Sequence, residues 1–410
     1  MANQKPIRKV IIVGAGPSGL LMAILLAKQG IEIQLLDGAT ELDKNPRAAH
    51  YAPSAIRELR RAGVLDDIKK DGFIPDAVCW REFDGTYIAG LNTDMTDPDA
   101  MQVLPLDRLV KLLFKHLTAL PNAEVQMQHK VVGIEQDEKE ARVKVETPEG
   151  VKMFSADYII GADGANSQIR RSLFGDLEFP GETLQYQIIA TNVYYDFHKF
   201  GYVDSNFIID PENWYMAAKI TTDGMWRVTY GDKWGLSNEE YLARQPLRYE
   251  ELLPGKPKPG DYKLVGASPY KLHQRCAPKF RVGRFLLIAD AAHLCNPFGG
   301  LGLTGGIADV TSLYDCLIAM QSGLADDSIL DKYSEVRIKK WKEMIDPMSR
   351  ANFRRIWDED AVTERNEFFA MCKKMVNDEE MQKQSAGFTH LLNEDFSPYF
   401  KQQTNGTVVA

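Results

Sequence analysis

Cysteine is scarce in this sequence and shows no pairing pattern: five residues, at 79, 276, 295, 316 and 372, none in C-x-x-C spacing. An odd count without pairs argues against a disulfide framework or a zinc site, and for free thiols in a reducing compartment. The seven histidines show no H-E-x-x-H spacing, so no metal site is expected. A basic excess is also missing. The net charge of −8 argues against a nucleic-acid binder, although it allows a local basic pocket for a phosphorylated cofactor. No segment reaches the ~18 unbroken apolar residues that a transmembrane helix requires. The run Val10 to Leu26 comes nearest, but Gly14, Gly16, Pro17 and Gly19 interrupt it, which suits strand, turn and helix better than a signal peptide. With no recognisable address, the expected location is the cytoplasm by default. There is no internal repeat and no low-complexity tract.

The 410 residues, 44% hydrophobic and 26% charged, are ordinary for a soluble chain of two or three domains. Residues 8–37 read as strand (Val10 to Val13), glycine turn, helix (Leu20 to Lys28) closed by Gly30, and second strand (Ile31 to Leu36). Such a βαβ unit implies a parallel sheet. Helices are expected at 54–70, 106–119, 307–322 and about 328–358, and strands at 124–134 and 141–154. From 182 to 270 aromatic and β-branched residues alternate with polar ones, as in "QYQIIATNVYYDF" and "MWRVTYG", which suggests an antiparallel sheet with one face exposed. The tail from 359 is charged and largely helical, with the last ten residues frayed.

Gly14-Ala15-Gly16-Pro17-Ser18-Gly19 fits G-x-G-x-x-G between a strand and a helix, and Asp37 ends the second strand. Gly14 permits the turn, Gly16 lets backbone approach a pyrophosphate at the helix N-terminus, Gly19 lets helix and sheet pack, and Asp37 accepts from a ribose. Further on, an apolar run from Phe285 to Ala289, expected to be a strand buried on both faces, ends on Asp290. His293, Pro297 and a glycine-rich run over 299–306 follow. Read alone, Asp290 could cap a helix and the glycines form a mobile loop. Gly300 to Gly305 also fits G-x-G-x-x-G, but no βαβ unit with a distal acid surrounds it, so a single dinucleotide fold is expected.

Between these two stretches lies "DYIIGADGANS", Asp157 to Ser167, which resembles the DG motif of flavoprotein hydroxylases. The stretch around Asp290 resembles their third fingerprint, a strand followed by GDAAH, a proline and a glycine loop. Three motifs in the family's order, spanning most of residues 8–320, resemble the group A FAD-dependent aromatic hydroxylases, with a fold like that of para-hydroxybenzoate hydroxylase. The resemblance implies an α/β chain: a Rossmann-like FAD-binding domain with an inserted β-rich substrate domain and C-terminal helices. The expected boundaries are 1–181 and 271–340 for the two parts of the FAD domain, 182–270 for the insert and 341–410 for the helical end.

It further implies that FAD is held by Gly14, Gly16, Pro17, Ser18, Gly19, Asp37, Arg47, Asp163, Gly164, Asp290, Pro297, Gly300, Gly302 and Leu303. Asp290 would accept from the ribityl chain, Pro297 would stand beside the flavin where oxygen reacts, and Arg47 would bind phosphate or gate a mobile flavin. These last two are the catalytic candidates. A further FAD contact falls on Gln102 or Arg108. Asp163 is expected to touch both FAD and a surface groove for NADPH or NADH. One departure is Ala289, where the family has glycine; a slightly shifted strand end is expected there. For His293 a packed residue beneath the flavin loop is favoured over a chemical role. Substrate contacts are sought among Tyr186, Asn192, Tyr194, Trp214, Tyr215, Trp226 and Arg227, with Tyr194, Tyr215, Trp226 and Arg227 put forward.

The implied activity is a monooxygenase that uses NAD(P)H and molecular oxygen to hydroxylate a small aromatic, phenolic molecule through a flavin C4a-hydroperoxide. Epoxidation, Baeyer–Villiger-type chemistry, a halogenase relative and a non-hydroxylating flavoprotein regulator are the alternatives; the G-W-x-W-x-I-P stretch expected of a halogenase is missing. A homodimer stays open.

Overall fold

The computed structural model describes residues 6–401 apart from 48, 377, 379 and 383–387. The expected frayed end, beyond 401, lies outside the described residues. The first strand, Lys9–Val13, pairs in parallel with Glu32–Leu36 on one side and Tyr158–Gly161 on the other. Phe285–Leu287 and Ala123–Gln126 extend this sheet at its two ends, and a short antiparallel edge strand, Arg281–Val282, completes it. The strands are apolar because both faces are covered. Helix Pro17–Ala27 is buried almost throughout, and so is the long helix Leu301–Gln321. The architecture is the expected α/β one.

Several elements differ from expectation. Residues 54–70 form two helices, Pro53–Arg61 and Leu65–Asp71, split where Gly63 takes φ +74°. The strand after Gly283 stops at Leu287. The glycine-rich run is largely helical: Gly299 and Gly300 turn the chain at φ +100° and +66°, and the helix starts at Leu301. Gly305 and Gly306 then serve packing, since a Cβ on Gly305 would fall 2.7 Å from Ile345 and one on Gly306 would fall 2.8 Å from the Ala289 Cβ.

The second sheet has eight strands, ordered 293–294, 263–276, 181–194, 225–232, 215–219, 205–209, 77–82 and 87–92. Two of its strands come from well before residue 182, because Ala77–Glu82 pairs in parallel with Ser205–Ile209. Its faces differ in kind. On one, Ile189, Val193, Tyr215, Trp226, Val228 and Tyr230 form a core with Tyr241, Tyr249 and Leu252 of helix Asn238–Leu252. That helix starts on a capping box between Ser237 and Glu240. The other face looks toward the parallel-sheet unit and the C-terminal helices. There Phe353, Ile356, Phe369 and Cys372 pack with Trp80, Ile188, Trp214 and Phe298. All five cysteines are free thiols.

Candidate active site

The first strand ends in a turn that only glycine can make. Gly14 sits at φ +112°, and a Cβ there would fall 2.3 Å from the Ala162 oxygen. A Cβ on Gly19 would fall 2.0 Å from the Gly14 oxygen, so helix and turn touch through backbone. Gly16 is different: a Cβ there meets nothing within 4 Å. Glycine at 16 therefore leaves space open over a helix start with no side-chain cap, whose first amides lack partners. Asp37 braces the turn by accepting from Ala15 N at 2.7 Å and from Ala39 N at 2.8 Å.

The long helix Leu301–Gln321 supplies a second uncapped start, preceded by the exposed Gly299 and Gly300. Gly302 and Leu303 lie half-exposed on its first turn. The two helix starts converge, since the would-be Gly306 Cβ lies 3.4 Å from Ser18 Oγ. Between them stands Asp290. It is exposed to water, yet the surrounding walls raise its carboxyl pKa by desolvation, with His293 and Arg47 opposing. A carboxylate both accessible and desolvated lies on the floor of a cleft. Open backbone amides at two helix starts and a carboxylate acceptor between them fit a dinucleotide with phosphates and sugar hydroxyls.

The residue before Asp290 explains the altered strand end. Ala289 takes φ +53°, a left-handed conformation that disfavours a side chain. Its amide donates to Asp309 Oδ2 at 3.0 Å. Asp309, with no exposed surface, also accepts from His293 Nε2 at 2.7 Å and, through Oδ1, from Arg337 Nε at 2.6 Å. Burial alone would raise the Asp309 carboxyl pKa; His293 and Arg337 outweigh it and hold it below the usual range. His293 thus belongs to a buried brace behind the cleft. The sequence reading missed Asp309 and Arg337, which lie on helices far along the chain.

Asp163 lies at the start of a helix. Its oxygens accept from Ser167 Oγ at 2.5 Å, Gln168 N at 2.7 Å and Ile169 N at 3.1 Å. The carboxylate caps the helix Gln168–Phe174 and so is already engaged by its own turn, beside Gly164 at φ +75°. Arg170, unnoticed in the sequence, joins this turn to the third motif by donating to Ala165 O and to Ala291 O, at 2.8 and 3.1 Å. Pro297 is half-buried in a loop that Gln274 ties to the large sheet through Asn296 and to the C-terminal helices through Asp346 Oδ1 at 2.7 Å.

Arg47 is largely exposed and pairs with Asp43 at 3.1 Å. The neighbouring Pro46 carbonyl reaches the large sheet, where it accepts from Arg227 Nη1 at 3.2 Å and Asn192 Nδ2 at 3.3 Å. Gln102 is turned inward onto Ala100 O. Arg108 is exposed, and its charge acts on Tyr194 and Asp223.

Register places the substrate candidates. Asn192, Arg227, Ala218 and Ser205 pair across neighbouring strands and form one row on the cleft face. Ala190, Thr229, Met216, Phe207 and Trp80 form the next row. Tyr215 and Trp226 fall on the opposite face. Tyr215 is fully buried and bonded to Tyr202 OH at 2.8 Å, and Trp226 packs on Phe197 at 4.8 Å, so neither reaches the cleft. Strict alternation in "MWRVTYG" carried that signal: if Arg227 faces the cleft, Trp226 cannot. Tyr194 lies on the same face two residues beyond Asn192, pairs with Met225, bonds Asp223 at 2.9 Å and packs beside Ala49. Tyr186 and Trp214 sit in the aromatic cluster under the C-terminal helices.

Arg227 is half-buried. It donates to Pro46 O and Asn192 Oδ1, lies close enough to the Tyr270 phenol to act on it, and makes no ion pair among the described residues. Tyr270 is raised by desolvation against the pull of Arg227. His50, half-buried at 3.3 Å from Ser205 Oγ, is pushed down to about 4 by desolvation, with Asp204 opposing. The sequence reading named neither Tyr270 nor His50.

Comparison with known proteins places residues 8–347 in the FAD binding domain family. The chain is 38% identical to para-nitrophenol 4-monooxygenase of a Pseudomonas species over 348 residues, covering 84% of this chain and 86% of the relative. It is 33% identical to 6-hydroxy-3-succinoylpyridine 3-monooxygenase HspB of Pseudomonas putida over 390 residues, covering 94% and 98%. The crystal structure of p-nitrophenol 4-monooxygenase PnpA from Pseudomonas putida superposes with a TM-score of 0.88 at 36% identity, covering 94% of this chain and 98% of the other. The flavin-dependent monooxygenase PieE, solved with FAD and substrate, shares the fold, with a TM-score of 0.72 at 20% identity over 91% of this chain and 72% of that one.

Proposed function

We infer, from the premise that the chain belongs to the FAD-binding-domain family of aromatic hydroxylases and is an FAD-dependent monooxygenase, that it hydroxylates a small phenol whose oxygen is held by Arg227. The uncompensated guanidinium of Arg227 on the cleft face carries this reading. A half-buried cation with only neutral partners is costly, and an anion arriving there relieves the cost. A phenol oxygen bound to it is shifted toward phenolate, which makes the ring richer in electrons and more reactive toward an oxygen electrophile. Relatives named for p-nitrophenol and 6-hydroxy-3-succinoylpyridine fit a hydroxylated ring as the substrate class.

When bound, FAD supplies hydride acceptance from NADPH or NADH and transfer of one atom of O₂ to the ring. The amides about Gly14, Gly16, Pro17, Ser18 and Gly19 would hold its pyrophosphate, and Asp37 an adenosine ribose hydroxyl. Asp290 would accept from its ribityl chain. The start of helix Leu301–Gln321, with Gly300, Gly302 and Leu303, would bring partial positive charge to a reduced flavin. Arg47, next to the Pro46 latch, would answer to both cofactor and substrate. Asp163 and Gly164 would support this site by shaping their turn. Asn192 and Tyr270 orient Arg227; Met216 and Phe207, half-buried in the next row, give the ring a surface from which water is excluded.

The test is a screen of phenols. The purified protein should be yellow, release FAD on heating, and oxidise NADPH or NADH faster with a phenol present, giving a product heavier by one oxygen atom. A protein without flavin, or with FMN, overturns the reading, as does failure of every phenol to accelerate oxidation.

A further inference from the structure

The helix Asp346–Trp357 is laid along the loop that leads into the long helix. Asp346 Oδ1 and Ser349 Oγ accept from Gln274 Nε2 at 2.7 and 3.0 Å, and Gln274 holds the amide of Asn296. Further along, the Phe353 ring stacks on that of Phe298 at 4.8 Å. Asn352 meets Gly299, since a Cβ there would fall 2.3 Å from Asn352 Nδ2. Pro297, between these contacts, accepts from Gly300 N at 3.2 Å. The loop is thus braced by this helix, and with it the start of Leu301–Gln321.

The same helix carries a cation that pairs with no acid. Its outward-facing arginines are neutralised: Arg354 pairs with Asp358 at 2.6 Å, and Arg350 with Asp346 at 2.9 Å and Glu182 at 2.8 Å. Arg355 instead is half-buried, lies 3.6 Å from the Phe368 ring centroid and gives Nη1 to Asn352 Oδ1 at 2.7 Å. Desolvation pushes it down to about 10, with Cys372 and Glu364 opposing, so it keeps its charge at neutral pH. A guanidinium has donors only. The Asn352 amide therefore has one orientation, with its oxygen to Arg355 and its NH2 to the turn at Gly299. Among the described residues that NH2 makes no hydrogen bond, so its partial positive charge is unspent. It adds to the charge of the uncapped helix start beside it. A reversed amide would put an oxygen at the same place and change the sign of the contribution.

We propose that Arg355 is a positioning residue: by fixing the Asn352 amide it keeps positive charge on the turn before the long helix, and so favours reduced over oxidised flavin. The proposal rests on FAD lying at this helix start, as in the reading above. It requires no contact of Arg355 with cofactor or substrate. It also accounts for the missing acid, which would draw the guanidinium off the amide oxygen and leave Asn352 free to reverse.

The test is the reduction potential of the bound FAD, read by equilibration with a reference dye during slow anaerobic reduction, together with unfolding by urea. Asn352→Asp keeps the size of the side chain, gives Arg355 an acid and turns an oxygen to Gly299. Its stability should hold or rise, while the preference for reduced FAD falls by at least about tenfold, which is about 30 mV for a two-electron couple. Asn352→Leu and Arg355→Met should each lower that preference by about threefold, the scale of a dipole at a helix end. Arg355→Lys still donates to the amide oxygen and should stay within about twofold of wild type. A preference in Asn352→Asp within twofold of wild type, or above it, overturns the proposal, as does an equal shift in Arg355→Lys and Arg355→Met. If Arg355→Met does not fold, Asn352→Asp decides alone. A wild type that holds no flavin overturns the functional reading itself, a distinct result.

Discussion

Ala289 and Gly306 form the tightest point between the cleft floor and the long helix, and a double-mutant cycle tests it. In the native chain a Cβ at 306 would lie 2.8 Å from the Ala289 Cβ and 3.4 Å from the Ala289 Cα. Gly306→Ala therefore gains helix propensity of about 1 kcal/mol but must displace a methyl group that cannot rotate away. Overpacking of this kind costs about 1–3 kcal/mol, so the clash wins and the variant is destabilised. Ala289→Gly removes that methyl and relieves φ +53°, worth about 1–2 kcal/mol, against about 0.4–1 kcal/mol of added freedom in the unfolded chain. That variant should be neutral to slightly stabilised. In the double variant the new Cβ at 306 meets nothing closer than the Ala289 Cα and the Ser18 Oγ, both at 3.4 Å, and the propensity gain is recovered. The two changes should couple by at least about 1 kcal/mol, measured by urea unfolding of the flavin-bound protein. Both single variants bear on Asp290, so FAD affinity should follow the same pattern. Coupling below about 0.3 kcal/mol would refute the packing argument.

Asp290→Ala leaves a cofactor hydroxyl without its acceptor, and FAD affinity in apoprotein titration should fall by about 10- to 100-fold, far more than for Ala289→Gly. Asp309→Asn strands the buried Arg337 and His293 and should cost about 3–5 kcal/mol in chemical unfolding. Because the folded-state pKa of Asp309 is depressed, its contribution is present above the unfolded carboxylate pKa and is lost as pH falls through the folded value; the stability profile of the variant should be flatter over that acid range. Arg227→Met should raise KM for a phenol by at least about tenfold, whereas Tyr215→Phe should lower stability by about 1 kcal/mol and leave KM unchanged. A raised KM in Tyr215→Phe would mean that the faces of the sheet are misassigned.

The first βαβ unit was legible because its signals are local: an apolar strand, glycines at fixed offsets and a carboxylate at the end of the next strand. The alternating pattern after residue 182 was equally legible as a sheet. The share that Ala77–Glu82 and Tyr87–Asn92 take in it was not, because pairing with Ser205–Ile209 spans more than a hundred residues and leaves no local mark. Composition misled over 299–306, where repeated glycine suggested an open loop. Two of those glycines turn the chain and two admit close neighbours within a helix. The brace of Asp309, His293 and Arg337 was invisible for a similar reason: each residue looks ordinary on its own helix or strand, and only folding brings the three together. Strand alternation put Arg227 among the candidates, and register shows that it shares a face with Asn192 and not with Trp226, while Tyr270 was hidden among the other aromatic residues of that region.

The way the chain threads between its two sheets restricts how the molecule can move. It leaves the parallel sheet to lay down Ala77–Glu82 and Tyr87–Asn92, returns for Ala123–Gln126 and Tyr158–Gly161, and departs again for the long strands Gly181–Tyr194 and Lys263–Cys276. It comes back for Phe285–Leu287 and touches the large sheet once more at His293–Leu294. Two bodies sewn together by so many crossings cannot swing apart about a single hinge, because each crossing would have to yield at once. Any local loosening at the cleft therefore falls to short pieces that belong to neither sheet, and the segment of Pro46 and Arg47 is one of them, its Pro46 carbonyl joined to the large sheet through Asn192 Nδ2 and Arg227 Nη1.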